Sequence, residues 1–263
     1  MTNSAGSIRT EAGIVFGTAD GAELKLDVHR PPTSRGNGAC VIELFGGGWV
    51  RGHRAGHYDG AFRRFAALGY VCVAPDYRLA PGTKWPGQLE DVKAAVGWVK
   101  DNAQRLGIDP AKIVLAGYSA GAQLAMIASA DADLGIAACV VYYPANVKRQ
   151  EDGSNHPLVA AGSSDEGYDD LQPVSHLRAG YPPTFIICGT SDRFHDHVTQ
   201  LYEKLRGFEV PVELHLLAGQ DHIFDRNPEF ADISRDWCHQ FMDRYVVNPR
   251  DYPAYQRPAP VTA

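Results

Sequence analysis

Few cysteines and no basic excess set the first limits on this sequence. The five cysteines, Cys40, Cys72, Cys139, Cys188 and Cys238, are odd in number and scattered over 263 residues. That spacing fits no disulfide framework, and no pair is close enough to suggest zinc. The first four lie in apolar, β-branched runs, where a reduced thiol behaves as a small core hydrophobe. Lysine and arginine (25) are outnumbered by aspartate and glutamate (31), for a formal net charge of −6, and the longest basic groupings are pairs such as Arg63-Arg64 and Lys148-Arg149. Both a nucleic-acid surface and an anionic-membrane surface favour a basic patch, so neither partner is expected. No apolar stretch approaches the roughly 20 residues of a membrane-spanning helix. Met1–Thr10 is small and polar, without the basic and apolar regions of a signal peptide. There is no internal repeat, no phosphate-cradling glycine motif and no convincing metal spacing, so no cofactor is implied. The expectation is a soluble protein of the reducing cytoplasm.

What is present is an ordinary globular composition, 44% hydrophobic and 21% charged, at a length that suits one large α/β domain. Residues 1–38 hold two strand signals, Gly13–Phe16 and Leu24–His29, joined by the turn Asp20-Gly21, and then a turn-rich loop. Short buried runs follow at Ala39–Phe45, Val71–Ala74, Ile113–Ala116, Ala137–Tyr142, Thr184–Cys188 and Val212–Leu217. Runs this apolar, with little alternation, suit a parallel sheet covered on both faces. Helical segments separate them: His57–Leu68, Pro86–Leu106, Ala120–Ala130, Asp196–Arg206 and Pro228–Tyr245. The alternation predicts a doubly wound, mostly parallel α/β sheet with right-handed crossovers and helices on both faces. Asn146–Pro183 breaks the rhythm. It is a long connection rich in Gly, Ser and Asp, expected at the carboxyl end of the sheet as part of a substrate-binding rim. The tail 248–263, with Pro253, Pro258 and Pro260, reads as irregular.

Two motifs carry chemistry. Gly117-Tyr118-Ser119-Ala120-Gly121 lies between a strand and a helix, the context of a nucleophile elbow. There a strained turn projects the serine hydroxyl, the flanking glycines remove clashes, and the helix directs its positive end at a developing oxyanion. The second motif, Phe45-Gly46-Gly47-Gly48-Trp49, ends a buried strand. Three successive glycines leave amides free to point at an anion, as an oxyanion hole requires.

These motifs, together with Pro75-Asp76-Tyr77-Arg78-Leu79-Ala80-Pro81, resemble the hormone-sensitive-lipase-like esterases of the α/β-hydrolase superfamily. The small acyl-esterase and kynurenine-formamidase-like branch is the nearest, since the N-terminus is short for the helical cap of larger members. The likeness runs from about residue 38 to 245. It implies an α/β-hydrolase fold, oxyanion donors at Gly47, Gly48 and Ala120, and an architectural role for Asp76-Tyr77-Arg78. One departure stands out: Phe45 occupies a position where the family usually has histidine. Glu43 is a further unusual choice within a buried strand.

In this fold the acid and histidine follow the serine in chain order. Asp192 follows the strand Thr184–Cys188, and His222 follows Val212–Leu217. Ser119 is therefore the candidate nucleophile, His222 the base and Asp192 the orienting acid. Asp196 and Asp221 are alternative acids, and His195 and His197, which flank Asp196, could with Asp192 mimic a metal site, although polar residues are normal at a helix start. Trp49, Tyr118 and Tyr143 are candidate substrate-binding residues or, equally, core aromatics. The leading function is hydrolysis of a small or medium carboxylic ester through an acyl-enzyme. A formamidase or amidase, a lactone or carbon–carbon hydrolase, and a non-catalytic small-molecule receptor are the alternatives.

Overall fold

The computed structural model describes residues 7–32, 34–56, 63–150, 152–160 and 166–251. Eight strands form one sheet: β1 Arg9–Ala19, β2 Ala22–Arg30, β3 Cys40–Leu44, β4 Val71–Pro75, β5 Ile113–Tyr118, β6 Ala138–Tyr142, β7 Thr184–Gly189 and β8 Val212–Leu217. Their order across the sheet is β1-β2-β4-β3-β5-β6-β7-β8. The β1–β2 and β2–β4 pairs are antiparallel, and every pair from β4 to β8 is parallel. All residues of β4, β5, β6 and β7 are buried. This explains why those segments read as continuous apolar runs: layers cover both faces, so no position can be polar without a partner.

The helices are α1 Arg63–Ala67, α2 Gly87–Asp101, α3 Ala103–Leu106, α4 Ala120–Ser129, α5 Glu166–Asp169, α6 Pro173–His176, α7 His195–Gly207 and α8 Pro228–Met242. One layer is contiguous through α2, α4, α6 and α7. In the other, α8 packs on β7 through Phe241 against Phe185 and reaches α1 through the Arg64–Asp232 ion pair. Among the described residues no helix is long and apolar enough to cross a membrane.

Several boundaries depart from the sequence expectation for local reasons. The first strand is longer than Gly13–Phe16 because register shifts near Glu11 and Val15 absorb its irregular pattern. The Gly13 amide, freed from the ladder, donates to Asp27 Oδ1 at 2.7 Å. The expected helix Pro86–Leu106 is two helices. The Asn102 side chain donates to the Trp98 carbonyl at 2.9 Å, and the chain restarts as α3. The helix expected over Pro228–Tyr245 ends as α at Met242 and continues as a π turn over Asp243–Val247. Of the helix expected over His57–Leu68, residues 57–62 lie outside the described residues, as do 1–6 of the N-terminal segment and 252–263 of the tail.

Candidate active site

Parallel strands deliver their following loops to one edge of the sheet. The glycine loop after β3, Ser119 after β5, Tyr143–Ala145 after β6, Asp192–Phe194 after β7 and His222–Ile223 after β8 therefore meet at a single cleft of about 370 Å³.

Ser119 sits between the last residue of β5 and the first of α4 with φ 50° and ψ −113°. A non-glycine residue held there is strained by about 1–3 kcal/mol. The strain is sustained by backbone bonds on both sides: the Ser119 amide donates to Tyr142 O, and its carbonyl accepts from Gln123 and Ala145. The flanking glycines answer a steric demand. A Cβ on Gly121 would lie 2.2 Å from the Leu44 carbonyl oxygen, and one on Gly117 would lie 2.4 Å from that of Gly121.

The three sequence-predicted polar residues are brought together. His222 Nε2 lies 3.0 Å from Ser119 Oγ, and His222 Nδ1 lies 2.7 Å from Asp192 Oδ2. Asp192 is buried, and its other oxygen accepts from the Phe194 amide at 2.9 Å. Burial alone would raise its carboxyl pKa, but the hydrogen bonds from His222 and Phe194 outweigh burial and hold it below the usual carboxylate range. An ionised Asp192 can only accept, so Nδ1 carries the imidazole proton and Nε2 presents its lone pair to the serine hydroxyl. The rival acids point elsewhere. Asp221 accepts from the His222 backbone amide at 2.6 Å, and the exposed Asp196 lies 3.1 Å from His195 Nδ1. His197 is buried in α7 with Nε2 unpartnered, and burial followed by the charge of Lys148 depresses its pKa to about 4. Among the described residues no group of His, Cys, Asp and Glu is arranged to hold a metal.

Gly47 and Gly48 have φ of 143° and 62°, and both line the cleft. Among the described residues no hydrogen bond engages their amides. Ala120 opens α4, where an amide has no intrahelical partner. Three donors thus stand unused around Ser119. The glycine loop is held from behind: Tyr77 Oη donates to the Phe45 carbonyl at 2.8 Å, and the two rings stack at 4.2 Å. Phe45 therefore serves as a buried packing surface, with its backbone anchored where the usual histidine is missing. The neighbouring polar residues brace the same region. Arg54 pairs with Asp76 and Asp27, and Arg78 pairs with the buried Asp91 of α2.

Trp49, Tyr118 and Tyr143 all border the cleft, yet each side chain is buried. Trp49 Nε1 donates to Gln123 Oε1 at 3.1 Å. Tyr143 Oη donates to the buried Asp225 at 2.6 Å, while its ring packs 4.5 Å from that of His222. Sequence reasoning passed over Phe194, whose ring meets His222 edge-on at 5.4 Å, and the cleft arginines Arg51, Arg193 and Arg226. Arg193 and Phe194 directly follow the acid, and that adjacency was the available signal. Asp225 had none. Burial raises its carboxyl, partly offset by the Tyr143 bond, and the carboxyl of Glu43 is raised by burial and then by Asp225.

A fold of this topology with a Ser–His–Asp hydrogen-bonded chain at its carboxyl edge defines the α/β hydrolases. A family model described as alpha/beta hydrolase fold matches residues 41–226, and the chain belongs to that family. It is 29% identical over 192 residues to the probable carboxylic ester hydrolase LipM of Mycobacterium tuberculosis, covering 64% of this chain and 44% of LipM. It is 31% identical over 242 residues to esterase LipC of the same organism, covering 78% of this chain and 58% of LipC. The chain thus spans about half the length of these curated relatives. Among solved structures, Thermogutta terrifontis esterase 2 phosphoramylated by tabun superposes with a TM-score of 0.76 at 25% identity, covering 92% of this chain and 97% of that one.

Proposed function

We propose that the protein hydrolyses carboxylic esters of small or medium size through an acyl-enzyme, with Ser119 as nucleophile, His222 as base and Asp192 as orienting acid. The observation that carries this reading is the continuous hydrogen-bonded chain Asp192–His222–Ser119, at 2.7 and 3.0 Å, beside unengaged amides. As Ser119 Oγ attacks the ester carbonyl, its proton passes to His222 Nε2, and Asp192 stabilises the resulting imidazolium. The carbonyl oxygen becomes an oxyanion within reach of the Gly47, Gly48 and Ala120 amides, each such donor contributing about 100- to 1000-fold in rate. The imidazolium then protonates the leaving alkoxide. Water, deprotonated by the same histidine, releases the acid. The cleft volume of about 370 Å³ suits a compact substrate, and the ester-hydrolase names of the relatives support the same chemistry.

Trp49, Tyr118 and Tyr143 would bound the substrate with their ring faces. The connection after β6 contributes Asn146, Lys148, Arg149 and His156 to a hollow adjoining the cleft, which supports a role as substrate rim. The five cysteines are free thiols, all buried, and a reducing cytoplasm is the compartment that suits them.

The test is turnover of p-nitrophenyl esters from acetate to dodecanoate by the wild type and Ser119→Ala. The expected result is wild-type hydrolysis strongest at short acyl chains, with kcat lower by about 10⁴- to 10⁶-fold in the variant. Full activity in Ser119→Ala would overturn the mechanism. A folded wild type that cleaves formamides or lactones and spares every ester would replace the substrate class.

A further inference from the structure

The chain is acidic overall, yet its cleft is cationic. Arg51, Arg193 and Arg226 line the catalytic cavity, and no aspartate or glutamate appears among its described lining residues. The adjoining hollow, of about 640 Å³, shares Gly48, Trp49, Arg193 and Phe194 with that cavity. It adds Lys148 and Arg149 against Asp152, the one acid among its described lining residues. Arg193 thus stands at the junction of the two spaces. Its guanidinium lies 4.7 Å over the ring of Phe194, the same ring that meets His222.

Most arginines elsewhere on the molecule are differently placed, although Arg35 and Arg178 bond backbone carbonyls instead of carboxylates. Arg30, Arg54, Arg64, Arg78, Arg105 and Arg235 are each tied to carboxylates. Among the described residues Arg51, Lys148 and Arg193 form no salt bridge; Arg51 lines the catalytic cavity, Lys148 the outer hollow and Arg193 both. All three are exposed and Asp152 offsets part of the charge in the hollow, so a net positive potential, screened by solvent, is left to act on whatever enters. A neutral ester gains little from that field. An ester with a carboxylate or phosphate gains a charge-assisted hydrogen bond and a favourable potential along its approach.

We propose that the cleft selects esters bearing an anionic group, carboxylate or phosphate, which Arg193 and Lys148 hold at the junction with the outer hollow while the scissile carbonyl lies at Ser119. Arg51, which lines the catalytic cavity, adds to the field. The inference rests on Ser119 cleaving esters, and it names which esters.

The test compares matched substrates at low ionic strength: mono-p-nitrophenyl adipate against p-nitrophenyl heptanoate for an anion on the acyl side, and 4-acetoxybenzoate against 4-acetoxybenzamide for one on the alcohol side. In at least one pair the anionic ester should have the higher kcat/KM, by about tenfold. That ratio should fall about tenfold in Arg193→Gln, fall again with Lys148→Gln and shrink as salt is added. Arg206→Gln, the same charge change on an exposed position of α7, should leave the ratio where it was. Ratios at or below unity in both pairs, or a ratio indifferent to Arg193→Gln, would overturn the proposal while leaving ester hydrolysis standing. Binding of the same esters to Ser119→Ala by calorimetry separates the opposite case. If the wild type cleaves none of them, Arg193-dependent binding of an anionic ester keeps the anion site and discards the esterase reading. Absence of such binding discards both.

Discussion

Ser119 can hold its strained conformation only because its neighbours leave no slack. A methyl group on Gly121 would enter the carbonyl oxygens of Leu44 and Phe45, at 2.2 and 2.4 Å. Both are backbone atoms of the segment that leads into the glycine loop, so neither can swing aside. Gly121→Ala is expected to lose about 3 kcal/mol of folding stability, read from the urea midpoint, together with most of its activity. In the proposed mechanism Asp192 acts by a different route. Its ionised carboxylate fixes the imidazole tautomer through the 2.7 Å bond to Nδ1. Asp192→Asn keeps the shape, but with its oxygen held by the Phe194 amide it turns an NH2 donor toward Nδ1, and should lower kcat by about 10,000-fold with a smaller change in KM. An Asp192→Asn protein with near-normal kcat would move the acid's role to another carboxylate. The motifs around Ser119 were legible because the demand is local: a tight strand-to-helix turn needs small residues two positions to either side. The choice of Asp192 over Asp196 and Asp221 was less so, since chain position says which loop an acid occupies but not which way its carboxyl turns.

At the scale of elements, Gln123 joins three parts of the site. It belongs to α4, is fully buried, accepts from Trp49 Nε1 in the glycine loop, and donates to Leu171 O in the connection after β6. Gln123→Leu fills the same space but leaves a buried indole N–H and a carbonyl without partners. The expected cost is about 2–4 kcal/mol, seen as a lowered denaturation midpoint. A loss no larger than that of an exposed substitution would mean that water takes over both partners. The strand and helix segments themselves were readable from apolar runs and from Gly and Pro punctuation. The break at Asn102 was not, because the apolar face of α2 continues past it into the buried Ala103 and Leu106 of α3 while the Asn102 backbone leaves the helical conformation.

Across the whole molecule, two buried carboxyls respond to pH in the opposite sense to hydrogen-bonded ones such as Asp192. The carboxyls of Glu43 and Asp225 are both raised, by burial first, and Glu43 further by Asp225. The folded state therefore holds these protons more tightly than the unfolded chain does. Their contribution to stability is fully present below the ordinary carboxylate range, and it is lost as pH rises through their raised folded values. Asp225→Asn keeps an acceptor for Tyr143 Oη and removes one of the two titrations. Its melting temperature relative to wild type should therefore increase from about pH 4 to about pH 8. A difference constant across that range would show that Asp225 titrates alike in the folded and unfolded states.

The alternation of strands and helices, the strand-to-helix turn at Ser119, the glycine loop and the chain order of the candidate serine, acid and histidine are all legible in the residues themselves. Each is written in neighbouring residues, because backbone sterics, helix ends and buried strands make demands that act over a few positions. What depends on residues far apart in the chain came from the folded arrangement. It turned Asp192 toward His222 across 30 residues and brought His222 to Ser119 across 103. It packed Phe45 on Tyr77, set Tyr143 between Asp225 and the imidazole ring, and gathered arginines from separate loops into one cleft. Side-chain direction, desolvation and charge convergence arise when distant segments share space, and no local pattern of residues encodes them.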